Sequence, residues 1–145
     1  MTASRGDHSI QALVPHRPPM LWIDEVLAQS DDGIVCRVTL RDDHVFLDHG
    51  QAESVVMVEL MAQSVAAFVG LADRKKGDVP RPGYLVAIPE ARFFVATVAV
   101  GQTLEITCSR RFGDDKIASF ACVARHAHVA LAEAIINVVR PGALE

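Results

Sequence analysis

One carboxylate in this sequence stands where a charge is rarely left alone. Glu59 lies inside Val56-Met57-Val58-Glu59-Leu60-Met61-Ala62-Gln63, a run that is apolar apart from Glu59 and its last residue. A carboxylate there either finds partners or has its pKa raised by desolvation, and a raised pKa suits a general acid. Gln63 falls one helical turn further on, on the same face, where it can hydrogen-bond Glu59 or a ligand. The competing reading of Glu59 is a structural ion pair facing an aqueous gap or a subunit interface.

The histidines are the other groups that can move a proton near neutral pH. His49, between Asp48 and Gly50, comes shortly before the apolar run. There its imidazole and the backbone N–H groups around Gly50 could surround one substrate carbonyl; the alternative is an exposed loop histidine. His16 competes for the role, held rigid in Pro15-His16-Arg17-Pro18-Pro19, or else simply part of a turn. His44 has no such context. His126 and His128 form an HxH pair with no third ligand in sight, which fits a solvated turn better than a metal site. Arg74-Lys75-Lys76 with Arg81 is a basic cluster, either a solvated loop or a steering patch for an acidic partner.

These residues need elements to position them. Ser54 is a candidate N-cap for a helix over Val55–Leu71, whose apolar residues cover all faces, so other structure must enclose it. Ile34–Leu40 alternates apolar and polar residues at strand period. Asp73–Gly83 reads as a loop. From Tyr84 onward the pattern is β: Tyr84–Ile88 and Arg92–Val100 separated by Pro89-Glu90, then Leu104–Arg111, Ile117–Arg125 and Val129–Val139. An antiparallel sheet wrapped around one buried helix follows. Residues 1–9 read as a tail.

Composition bounds the function. The 145 residues suit one domain, with 50% hydrophobic, 22% charged and a formal net charge of -4. That disfavours disorder and a nucleic-acid-coating role. Ser54–Leu71 is nearly long enough for a membrane span, but Glu59 and Gln63 interrupt it, so no span is expected. Three widely spaced cysteines with no CxxC, and a polar N-terminus, suggest a reduced cytoplasmic protein. No GxGxxG, P-loop, GxSxG or HExxH motif is present.

Three stretches resemble one family in register. Leu13-Val14-Pro15-His16-Arg17-Pro18-Pro19-Met20-Leu21-Trp22-Ile23-Asp24-Glu25-Val26 resembles the opening of the 3-hydroxyacyl-[acyl-carrier-protein] dehydratases of the FabA/FabZ type. Glu59-Leu60-Met61-Ala62-Gln63 is similar to their helix motif. Ile88-Pro89-Glu90-Ala91-Arg92-Phe93 with Val100-Gly101-Gln102-Thr103-Leu104 is similar to their next strand and turn. The resemblance runs from about Leu13 to Val139. The family's His is normally followed by Phe-Pro-Gly, whereas here Gly50-Gln51-Ala52-Glu53 is shorter and has no proline. That loop more closely resembles the divergent dehydratases of bacterial aryl-polyene and related pigment clusters.

The resemblance implies an α+β hot-dog fold, a long helix wrapped by an antiparallel sheet, in a dimer with the active site at the interface. It implies dehydration of a 3-hydroxyacyl thioester in fatty-acid or polyene-type biosynthesis. His49 of one subunit would take the C2 proton, Glu59 of the other would protonate the departing hydroxyl, and Gln63, Gly50 and His16 would contact substrate. Backbone N–H groups near Gly50 to Ser54 would hold the enolate-like oxygen. No metal or redox cofactor is implied; the acyl group arrives on phosphopantetheine of an acyl-carrier protein or of coenzyme A. Two alternatives stay open: a weakly active hot-dog subunit that completes a heterodimer, and a thioesterase using Glu59 on water.

Overall fold

The structure, a computed structural model, describes residues 10–18, 20–44, 46–77, 83–114 and 116–140. The expected tail over residues 1–9 and Arg81 of the basic cluster lie outside these. Along the chain come a short helix α1 (Ile10–Leu13), strands β1 (Glu25–Gln29), β2 (Gly33–Thr39) and β3 (Gln51–Glu53), and the long helix α2 (Val56–Lys75). Strands β4 (Tyr84–Phe93), β5 (Thr97–Ala99), β6 (Thr103–Gly113), β7 (Ile117–His126) and β8 (Val129–Val139) follow. One antiparallel sheet runs in the order β1-β2-β6-β7-β8-β4, and β3 pairs with β5 beside it. α2 lies against β2, β6, β7 and β8. This is the hot-dog arrangement: a sheet curled around a buried helix.

Period-two burial builds the sheet face that meets the helix. Ile34, Cys36 and Val38 of β2 are buried, as are Leu104, Ile106 and Cys108 of β6 and Phe120, Cys122 and Ala124 of β7. Met57, Leu60, Met61, Ser64, Val65, Phe68 and Leu71 answer them from α2 at helical spacing. The helix is long and apolar enough to cross a bilayer, but 72% of that stretch is buried within the protein, so it is a core helix. At Gly70 the α1 backbone packs so closely that an added Cβ would meet the Leu13 carbonyl. The three cysteines are free and buried. Burial pushes the Cys36 thiol up to about 11, against a smaller opposing bond from Ser64.

Several local expectations are corrected. Ser54 does not cap α2 with its side chain; the cap position is Val55, and the Ser54 carbonyl accepts from Met57 N–H at 3.0 Å. The helix runs on past Leu71 through Asp73 to Lys75, because the Asp73 carboxylate is buried against the Arg140 guanidinium rather than facing solvent. Pro89 does not divide the strand. β4 continues through it with register irregularities on either side of Ala87, which an edge strand tolerates. Only Arg92 and Phe93 of the expected Arg92–Val100 strand belong to β4; Thr97–Ala99 turns away to pair with β3.

Candidate active site

Gln63 organises the site. Its side chain is fully buried, and its Oε1 accepts from Trp22 N–H at 2.9 Å and Ile23 N–H at 3.4 Å. Backbone N–H groups can only donate, so the amide orientation is fixed. Its Nε2 therefore donates, to Met20 O at 2.6 Å and to Glu59 Oε1 at 3.1 Å. One side chain thus ties the segment before β1 to the first turn of α2.

Glu59 sits in that first turn, where the helix dipole favours negative charge. The Nε2 of His16 lies 3.5 Å from the same Oε1. Both side chains are partly open, His16 at 27% and Glu59 at 33% exposure. Burial pushes the Glu59 carboxyl upward, but hydrogen bonds from His16 and Gln63 and the charge attraction of His16 outweigh it, leaving the pKa below its usual value. Of the two outcomes expected for a carboxylate here, partners or an upward shift, the structure shows partners: desolvation is present, and Gln63 and His16 overcome it.

His16 is presented by a braced turn. Leu21 N–H and Met20 N–H both donate to Arg17 O, and the Arg17 guanidinium bonds Val14 O and His16 O. Behind this segment Trp22, fully buried, stacks on His44 with ring centroids 4.5 Å apart. Burial, helped by Arg41, holds His44 below the ordinary histidine pKa. This Trp22–His44 wall was not legible locally, since the partners are far apart in sequence.

The structure brings Glu59, Gln63 and His16 together in one chain, and it does not bring His49 to them. His49 and Gly50, at φ +53° and +77°, are the central residues of a tight turn closed by Asp48 N–H to Gln51 O at 2.7 Å and Gln51 N–H to Asp48 O at 3.1 Å. Positive φ at both central positions is the type I′ signature. The His49 side chain is 93% exposed and contacts Asp48 Oδ1 at 2.8 Å. Of the N–H groups expected to hold an oxyanion, that of Gln51 is used in this turn and that of Ser54 donates to Ala96 O. A similar turn has Ala127 and His128 at its centre, with φ +50° and +69°, and His126 just before it has Nδ1 3.0 Å from Thr103 O.

Two cavities meet at Glu59. A groove of about 460 Å³ starts at Pro15, His16 and Glu59 and follows Ala62, Ala66 and Val69 along α2. Its far end carries Lys75, Lys76, Arg110, Lys116 and the Asp73–Arg140 pair. A second cavity of about 590 Å³ lies at the helix N-terminus, lined by Phe46, Asp48, Glu53, Val55 and Glu59. Glu59 lines both, so a substrate group in either cavity lies beside its side chain.

A family model described as ApeP-like, ApeP dehydratase, matches residues 8–145. The 3-hydroxyacyl-[acyl-carrier-protein] dehydratase FabZ of Brucella ovis is 33% identical over 135 residues, covering 87% of this chain and 82% of its own. FabZ of Agrobacterium fabrum is 29% identical over 136 residues, 90% of this chain and 86% of its own. The dehydratase heterocomplex ApeI:P from Xenorhabdus doucetiae superposes with a TM-score of 0.87 at 24% identity, covering 92% of this chain and 91% of that one. A hypothetical thioesterase with coenzyme A from Streptococcus pneumoniae shares the fold at a TM-score of 0.62 and 12% identity, over 93% and 92% of the chains.

Proposed function

The chain belongs to the ApeP-like dehydratase family, and on that premise we propose that it removes water from a 3-hydroxyacyl thioester, with Glu59 as the carboxylate that moves the protons. The observation that carries the site assignment is the position of Glu59, fixed by Gln63 where the two cavities meet. The thioester carbonyl acidifies C2, and loss of the C3 hydroxyl gives the conjugated trans-2-enoyl thioester. Elimination of water changes no overall oxidation state, so the reading needs no redox cofactor. The FabZ relatives are named for substrates on acyl-carrier protein, and a phosphopantetheine thioester, on a carrier or on coenzyme A, suits a long two-armed site. At the far end of the groove Lys75, Lys76, Arg110 and Lys116 outnumber Asp31 and Asp114, an excess of positive charge that fits a phosphate-bearing or acidic carrier. A cytoplasmic location goes with this reading.

Assembly with a second hot-dog subunit belongs to the same proposal. Every residue of the edge strand β4 is exposed, including Tyr84, Leu85, Val86 and Ile88. A long apolar edge is normally covered. A like chain, or a different hot-dog chain as in the ApeI:P heterocomplex, would extend the sheet there. In that assembly His49 of one subunit would face Glu59 of the other.

The test is Glu59→Gln. Enoyl absorbance from a 3-hydroxyacyl thioester should vanish while the circular dichroism and melting profile persist. Retained turnover refutes the role of Glu59. Release of free thiol without enoyl absorbance would instead identify a thioesterase.

A further inference from the structure

We infer that His16 is the second functional side chain of this site, a neutral hydrogen-bond donor through Nε2–H, and that Glu59 is the base. This rests on the dehydratase reading above. The Nδ1 of His16 is buried and has no hydrogen-bond partner among the described residues. A proton placed there would be a buried N–H without an acceptor, costing about 1–3 kcal/mol. The imidazole therefore keeps its single proton on Nε2, the nitrogen 3.5 Å from Glu59 Oε1. A nitrogen that already carries a proton cannot take another, and the bare nitrogen is out of substrate reach. His16 is thus a donor and not a base.

The fixed amide of Gln63 completes the assignment. It directs an N–H to the same Oε1, so that oxygen faces two donors and stays unprotonated. Oε2 is left for substrate. Among the causes that lower the Glu59 pKa, the hydrogen bonds from His16 and Gln63 come ahead of any charge on His16, and they favour an ionised carboxylate without needing that charge. His16 and Glu59 both line the start of the 460 Å³ groove, so an acyl chain bound in it meets both.

The step balances on one carboxylate. Glu59 Oε2 takes the C2 proton, and the C2–H electron pair becomes the C2–C3 double bond. The C3–O bond breaks, with its electron pair leaving on oxygen. His16 Nε2–H donates a hydrogen bond to that oxygen as charge develops on it, and Glu59 delivers the proton it has just taken, completing water. Glu59 ends as the carboxylate it began as, and His16 keeps its proton throughout. A neutral imidazole in this electrophilic role is chemically established elsewhere.

Two measurements on the full-length protein test this, with a 3-hydroxyacyl coenzyme A thioester as the turnover probe. Loss of one preorganised donor costs about 10²–10³-fold in kcat, so His16→Ala should fall by that much with little change in KM. His16→Gln, whose side-chain NH₂ extends about as far as Nε2, should recover most of the loss. The second measurement is the imidazole ¹⁵N spectrum, in which His16 should show the Nε2–H tautomer near neutral pH. His16→Gln falling as far as His16→Ala, His16→Ala retaining full turnover, or an Nδ1–H or doubly protonated ring each overturns the inference. A loss on His49→Ala equal to that of His16→Ala, without rescue by glutamine, also overturns it and moves the imidazole to the other subunit. If the wild-type protein turns nothing over, alone or with a hot-dog partner, while His16 shows the Nε2–H tautomer, the dehydratase reading fails and the assigned protonation state stands.

Discussion

Replacing Gln63 by Leu keeps the volume of a fully buried side chain and removes all of its hydrogen bonds. The Trp22 N–H, bonded at 2.9 Å, and the Met20 carbonyl, bonded at 2.6 Å, lose their partner, and the 3.4 Å bond to Ile23 goes with them. An orphaned buried group costs about 1–3 kcal/mol, and the Met20 carbonyl, in a part-buried bond, costs less. The Ile23 bond is long enough to count for little, and the added apolar burial of leucine returns part of the loss. The net destabilisation is then about 2–5 kcal/mol. At about 3 °C per kcal/mol for a domain of this size, melting should fall by about 6–15 °C at fixed protein concentration. The substitution also strips one of the bonds that hold the Glu59 pKa down. In any folded fraction the acid limb of the kcat/KM profile should therefore move to higher pH. A melting change below about 2 °C together with an unmoved acid limb would refute the account of Gln63 as the element joining segment and carboxylate.

Substitutions at three further sites have expected outcomes. Asp73→Ala leaves the Arg140 guanidinium buried without its carboxylate, which should cost about 3–5 kcal/mol in urea unfolding. Adding Arg140→Met to it should restore most of that stability, since a buried pair is often replaceable by apolar side chains. Gly70→Ala forces α1 away from α2, because the new methyl would occupy the place of the Leu13 carbonyl. Overpacking of this kind costs about 1–3 kcal/mol, and limited proteolysis should then cut near α1 sooner than in the parent. Glu59 has a folded pKa below its unfolded value, so its contribution to stability is present above the unfolded pKa and disappears as pH falls through the folded one. Glu59→Gln should accordingly flatten the acid side of a stability-versus-pH curve, and an unchanged slope would contradict the sign of the shift.

Much of this was legible locally. A helix apolar on all sides had to be enclosed, and the four-residue spacing of Glu59 and Gln63 had to put them on one face. What lay beyond reach depended on partners distant along the chain. The sign of the Glu59 shift hinged on His16, forty-three positions earlier, and desolvation taken alone points the other way. The last turn of α2 looked like loop because Asp73, Arg74 and Lys75 are polar, yet Arg140 neutralises the first of them from the end of β8. Pro89 looked like a break because nothing nearby marks β4 as an edge strand. His49 and Gly50 looked like part of a binding loop, and the turn they form shows only once the Asp48–Gln51 bridge is seen.

The bonds from Trp22 and Ile23 to Gln63 also bear on how the protein assembles. They span 41 and 40 residues of chain, so the segment cannot lock against the carboxylate until α2 and the strands on either side of it have come together. Contacts of such separation close a long loop and are among the slower to form. The Trp22 amide proton then reports on this closure: its exchange with solvent should require the segment to lift from the helix, with no need for global unfolding. Following that single proton would show how often the resting protein dismantles its own site.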